Sequence, residues 1–141
     1  MSQISQALDK HGSKIAIITL ILLASYIIAG FFSANYLAFA EGDSMQPTFS
    51  NCTLLVVNKQ TLPAGLATGD IAVVDISGLE MDFDKIAHRV VENLPEQQKF
   101  STRGDNSAYY DFPSSIDGFF DYSKFRGKIG AYYLLPNFIC N

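Results

Sequence analysis

Ser44 stands in "GDSMQPT", between a flexible Gly-Asp and a Met-Gln-Pro that fixes the exit of the loop. A serine hydroxyl is a weak nucleophile until a neighbour accepts its proton, so a base must be supplied elsewhere in the chain. Two histidines exist, and His11 precedes a long uncharged run, which leaves His88 as the one imidazole for the segment that holds Ser44. An imidazole accepts a proton near neutrality with little adjustment. Lys85 and Lys59 compete for the role, but a lysine must be buried to lose its proton at that pH. Lys85 is three residues from His88, so strand alternation points the two to opposite faces. A third group is wanted to orient the base and offset its charge. The carboxylates available are Asp105 and Asp111 in "TRGDNSAYYD". Taken one at a time these residues also fit bland roles: a turn serine, a core histidine between Ile86 and Val90, and two solvated turn carboxylates.

Elements must bring these groups together, and the first is the uncharged run, residues 15–40. As a helix these 26 residues would extend ~39 Å, enough to cross a hydrocarbon core of ~30 Å with tilt. Lys10, His11 and Lys14 precede the run while Glu41 and Asp43 follow it, which places the N-terminus in the cytoplasm and Ser44 outside or in a lumen. The expected organisation is a cytoplasmic segment 1–14, a transmembrane anchor 15–40 and an extracytoplasmic catalytic domain 41–141. The rival for the N-terminus is a cleavable signal peptide, because "AFA" at 38–40 has the small-x-small form of a cleavage site; the run is, however, far longer than the ~7–15 residues of a signal core. Beyond Ala40 the chain keeps eight of ten Lys and Arg but thirteen of fourteen Asp and Glu, a balance of −5 that argues against nucleic acid as a partner.

After the run, β-branched and aromatic residues concentrate in 52–57, 70–76, 85–94, 98–103 and 127–135, separated by turn-forming pieces such as "LPAGLATG" and "LPEQ". The fold class expected is mainly β: one N-terminal transmembrane helix followed by a small, mostly antiparallel β-domain. The aromatic segment with Phe112, Phe119, Phe120, Tyr122 and Phe125 reads as core, with a lipid-headgroup surface as the alternative. "MDFD" at 81–84 reads as a solvated turn, since two carboxylates without a third ligand do not make a cation site. No metal or other cofactor is expected. "RGD" at 103–105 belongs with the Gly-Asp-Asn turn, "NCT" at 51–53 is a formal glycosylation sequon, and Cys52 and Cys140 allow one disulfide on an exported domain.

Four segments in order, "GDSMQPT", "GDIAVV", "KIAHRVV" and "TRGDNSAYYD", resemble the motifs of the type I signal peptidases. The chain is similar to the archaeal and endoplasmic-reticulum-type branch, in which His-Arg stands where other members have Lys-Arg. The resemblance covers residues 40 to about 136. It implies a mostly-β catalytic domain that removes signal peptides by cutting after small residues, with Ser44 as nucleophile and His88 as general base. It further implies Asp111 as the carboxylate that orients or charge-balances His88, Asp105 in a supporting part, and Met45 and Pro47 shaping the nucleophile loop. The Ser44 N–H would be one oxyanion donor; Gly42, two residues before, has no hydroxyl to act as a second. Expected partners are signal-peptide-bearing preproteins, the lipid bilayer and a protein-translocation channel. Two other functions compete: a Ser-Lys self-cleaving protease of the SOS-repressor type, which would need an essential lysine and a DNA-binding domain in place of the anchor, and a non-enzymatic anchored β-module.

Overall fold

The structure is a computed structural model, and it describes residues 3–78, 83–106 and 119–136. The chain divides into two compact units, Met1–Ala34 and Asn35–Asn141. The first is one helix, α1 (Gln3–Ala34). Its Gly12–Ala34 stretch, 23 residues containing an 18-residue window of mean hydropathy 2.6 with none of that window buried, is long and apolar enough to cross a membrane, a property that secretory signal sequences share. The helix stops before the uncharged run does. Residues 35–40, expected to finish the anchor, form a strand instead, β1 (Asn35–Ala40). Its side chains alternate, with Tyr36, Ala38 and Ala40 packed against a core and Leu37 and Phe39 exposed. That period of two, with every residue paired to a partner strand, overrides the helical tendency of an apolar run.

Among the described residues six more strands follow: β2 (Thr53–Asn58), β3 (Ile71–Asp75), β4 (Lys85–Leu94), β5 (Lys99–Arg103), β6 (Phe120–Asp121) and β7 (Phe125–Leu134). All pairings are antiparallel, and the seven make one curled sheet in the order β1-β2-β7-β3-β4-β5-β6. The expected class, mainly β with a single apolar helix in front, is what the chain adopts. β3 lies at the centre, and "IAVV" is buried on both faces. Ile71 and Val73 join Leu55, Val57, Ile129, Met45 and Phe49 in one core, while Ala72 and Val74 join Ile76, Val90, Phe100 and Phe120 in a second. At the β2–β7 crossing the backbones approach so closely that a Cβ on Gly127, whose φ is +149°, would lie 2.6 Å from Val57 Cγ1.

The aromatic segment divides as the core expectation has it where it is described. Phe120 is buried, and the rings of Phe120, Tyr122 and Phe125 surround Phe100 at centroid distances of 6.0 to 6.1 Å. Phe112 lies outside the described residues.

Candidate active site

The loop from Glu41 to Cys52 is tied to itself and to the core. Gly42, at φ +87°, donates its N–H to Asn51 Oδ1 and closes the loop. Inside it Gln46 N–H donates to Asp43 O and Phe49 N–H to Met45 O, each at 3.1 Å. Met45 and Phe49 are only 2% and 4% exposed, so they pin the loop into the first core. The expectation that Met45 shapes the loop acquires a physical content: the residue after Ser44 is an anchor, and Ser44 itself stays exposed. Ser44 Oγ lies 2.8 Å from His88 Nε2. For this contact to activate the serine, Nε2 must be the bare nitrogen and Nδ1 must carry the proton.

His88 stands in the middle of β4, level with Ala72 of β3, and is buried. Its neighbour Arg89 leaves the strand in the other direction and builds a brace. Arg89 Nε and Nη2 grip Asp105 Oδ1 and Oδ2 at 2.7 and 2.6 Å, and Nη1 donates to Gly69 O at 2.7 Å. Nη2 also meets Thr48 Oγ1 at 3.1 Å, and Thr48 Oγ1 donates to Asp105 Oδ2, so that the Ser44 loop, β4 and the turn after β5 share one ring of hydrogen bonds. The Arg89 fork holds the Asp105 carboxyl below the usual carboxylate range against the opposing effect of burial, with help from Thr48. The next residue completes the clamp: Asn106 N–H donates to Ser44 O at 2.8 Å and Asn106 Nδ2 to Asp43 O at 3.2 Å.

Gly104 sets the spacing. A Cβ there would lie 2.7 Å from Ser44 O and 3.3 Å from His88 Nε2. Its φ is not positive, so the glycine is needed for close approach and not for an unusual backbone angle.

Of the sequence-derived candidates, Ser44 and His88 therefore meet directly, and Asp105 serves the site through Arg89 and Thr48. Asp111, Asp82 and Cys140 lie outside the described residues. Lys85 is exposed at the start of β4, three residues from His88, and Lys59 lies past the end of β2. The residue types of Arg89, Thr48, Gly104 and Asn106 do not mark them in the sequence; the adjacency of Arg89 to His88 and of Gly104 and Asn106 to Asp105 is the signal it offers. Cys52 is disulfide-bonded. Among the described residues no group of three His, Cys, Asp or Glu is placed to hold a metal ion.

Beside the Ser44–His88 pair runs a groove of about 660 Å³ with an apolar floor that includes Met45, Leu55 and Val73. β1 forms one side and residues Lys85 to His88 of β4 the other. Both sides are open strand edges among the described residues: β1 pairs only with β2, and β4 pairs with β5 only from Arg89 onward. Such edges accept an extended peptide as an added strand. A serine–imidazole pair at the wall of a peptide-sized groove can carry out acyl transfer on a chain laid between those edges. Compared with protein-family models and with curated proteins, the chain matches none.

Proposed function

We propose that the chain is a membrane-anchored serine endopeptidase of the type I signal peptidase kind, cutting exported preproteins after small residues. The observation that carries the proposal is the 2.8 Å contact between Ser44 Oγ and His88 Nε2 at the edge of an apolar groove flanked by two open strand edges. His88 Nε2 takes the Ser44 proton as Oγ attacks the scissile carbonyl, and the tetrahedral oxyanion meets the Ser44 N–H. His88 then returns the proton to the leaving amine, which frees the C-terminal product and leaves an acyl ester on Ser44. A water, deprotonated by His88, hydrolyses that ester, and the proton passes back to Ser44 Oγ. Asp111 would balance the imidazolium on the strength of the motif resemblance. The substrate lies extended between β1 and Lys85–His88, which explains why the groove is long and why its sides are backbone edges.

Anchoring supports this assignment. With α1 as the membrane span, a preprotein held by its own apolar segment shares the bilayer with the enzyme, and confinement raises the effective concentration of the bond to be cut. Lys10 and Lys14, on the N-terminal side of the uncharged run that begins at Ile15, argue for a domain outside or in a lumen, and a disulfide at Cys52 fits the oxidising conditions there. A Ser-Lys self-cleaving enzyme is disfavoured because the hydroxyl of Ser44 meets an imidazole and Lys85 is exposed.

The test is cleavage of a preprotein in vesicles by the wild type and by Ser44→Ala, His88→Ala, Asp111→Ala and Lys85→Ala. The first three lose activity by a factor on the order of 10³ or more, as do other serine–base sites, while Lys85→Ala retains most of it. Full activity in Ser44→Ala would leave a non-enzymatic module; a normal His88→Ala beside a dead Lys85→Ala would return the base to lysine.

A further inference from the structure

The site described above has one oxyanion donor, the Ser44 N–H, and loss of one such donor slows acyl transfer by a factor on the order of 10²–10³. Gly42 offers no hydroxyl, so a second donor has to come from the backbone around it. The hydrogen bonds of the loop show which groups are left. The Asp43 carbonyl accepts Gln46 N–H at 3.1 Å and Asn106 Nδ2 at 3.2 Å, and the Ser44 carbonyl accepts Asn106 N–H at 2.8 Å. Gly42 donates its own N–H to Asn51 Oδ1. The N–H groups of Asp43, Ser44 and Met45 meet no acceptor among the described residues. Met45 is 2% exposed, which leaves Asp43 and Ser44, both exposed and both lining the groove, as the N–H groups open to a substrate.

Backbone geometry turns this pair to one side. A trans peptide carries its C=O and N–H in opposite directions, so the Asp43 carbonyl, drawn to Asn106, sends the Ser44 N–H away from that clamp. Gly42 stands at φ +87° at the entry of the turn closed by Gln46 N–H and Asp43 O, and a left-handed residue at such a place is the backbone form of an anion-binding nest, in which successive N–H groups converge. The same angle strains any side chain, so a position that can hold the nest is one that does not carry a hydroxyl. Asn51 keeps Gly42 in this form. It accepts the Gly42 N–H from the far end of the loop, where Cys52 is disulfide-bonded and Thr53 Oγ1 donates to Ser50 O at 2.8 Å. Asn51 does not line the groove. We propose that the N–H groups of Asp43 and Ser44 together bind the oxyanion, and that Asn51 is the positioning residue that holds the Gly42 turn so that they act as a pair. The inference rests on the protease reading above and adds a donor to it. As Ser44 Oγ bonds to the scissile carbon, the carbonyl π pair moves onto oxygen between the two N–H groups, and it returns when the bond to the leaving amine breaks.

The test uses the full-length chain in vesicles and reads kcat and KM on a preprotein. It also reads affinity for a substrate-like peptide boronic acid, whose tetrahedral adduct on Ser44 puts an oxygen where the oxyanion sits, and for the same peptide with hydrogen in place of boron. Replacing the Asp43 peptide N–H by an ester oxygen, with the side chain kept, removes the proposed donor alone, because the Gly42 carbonyl that an ester weakens holds no donor among the described residues. The expected result is a fall of about 10²-fold in kcat and in boronate affinity, with KM and the boron-free peptide unchanged. Asn51→Ala shows the same pattern at about 10-fold, and Asn51→Asp, which keeps an acceptor oxygen, restores most of it. Wild-type kcat in the ester variant beside an inactive Ser44→Ala overturns the donor and leaves the protease standing. Equal losses for the boronate and the boron-free peptide in Asn51→Ala overturn the positioning role, since a general loosening weakens both. Equal cleavage by wild type and Ser44→Ala removes the protease reading and this proposal with it.

Discussion

Replacing Gly104 with alanine adds one methyl group at the point where three parts of the site converge. Its Cβ would fall 2.7 Å from Ser44 O and 3.3 Å from His88 Nε2. Non-bonded carbon contacts rest at ~3.5 Å or more, so the nucleophile loop must withdraw by roughly 0.8 Å or the imidazole must swing aside. Either response lengthens the Ser44–His88 contact, and a displacement on the order of 1 Å in a reacting pair costs on the order of 10²-fold in rate. That loss corresponds to about 2.7 kcal/mol of transition-state stabilisation. Overpacking costs stability as well, about 1–3 kcal/mol, partly offset by about 0.4–1 kcal/mol from the lower entropy of the unfolded chain. Thermal melts of the variant should therefore fall by several degrees, and kcat/KM for preprotein cleavage, measured well below the melt, by about 10²-fold. Gly65→Ala is the control: nothing lies within 4 Å of its Cβ and its φ is not positive, so it keeps activity and melts no lower. Wild-type kcat/KM in Gly104→Ala would refute the claim that this glycine sets the serine–base distance.

Other expectations follow from the brace and from Cys52. Asp105→Asn weakens the Arg89 fork and costs about 1–2 kcal/mol, less than the ~3–5 of a fully buried pair because the Arg89 side chain is 35% exposed. Because the folded carboxyl titrates below its unfolded range near ~3.9, its contribution is complete above that pH and is lost as pH falls through the lowered value. The gap in melting temperature between wild type and Asp105→Asn should thus narrow below pH ~4, and a gap independent of pH would contradict the pairing. Reduction of the disulfide at Cys52 should lower stability by about 2–4 kcal/mol, checked by melts with and without a thiol reductant.

How far the sequence went differs from element to element. β2 to β5 and β7 announce themselves through β-branched residues between turn signals. β1 stays hidden because apolar residues occupy both its faces, so nothing separates it by composition from the span before it. β6 has two residues, too few for any pattern. As a candidate pair Ser44 and His88 were readable, because few groups could do the chemistry, and they lie 2.8 Å apart. The brace was not, since Thr48 and Arg89 reach Asp105 across 57 and 16 positions and no local spacing encodes that ring. Gly104 reads as a turn glycine in "RGDN", and only the packing shows that its missing side chain is what matters.

Adjacent residues of β4 divide the labour of the site: His88 meets the Ser44 hydroxyl, the contact on which the proposed chemistry rests, and Arg89 bears the load. The Ser44 loop, pinned to the core by Met45 and Phe49, is held on its other side by Arg89 and Asp105 through Thr48 and by Asn106 through the loop backbone. The fold therefore works as a socket: the frame that presents the serine is held by hydrogen bonds that do not pass through the side chain at position 88. A slip of β4 by one residue would move His88 from Ser44 and Arg89 from Asp105 together, so both contacts depend on the register of β4 with β3 and with β5.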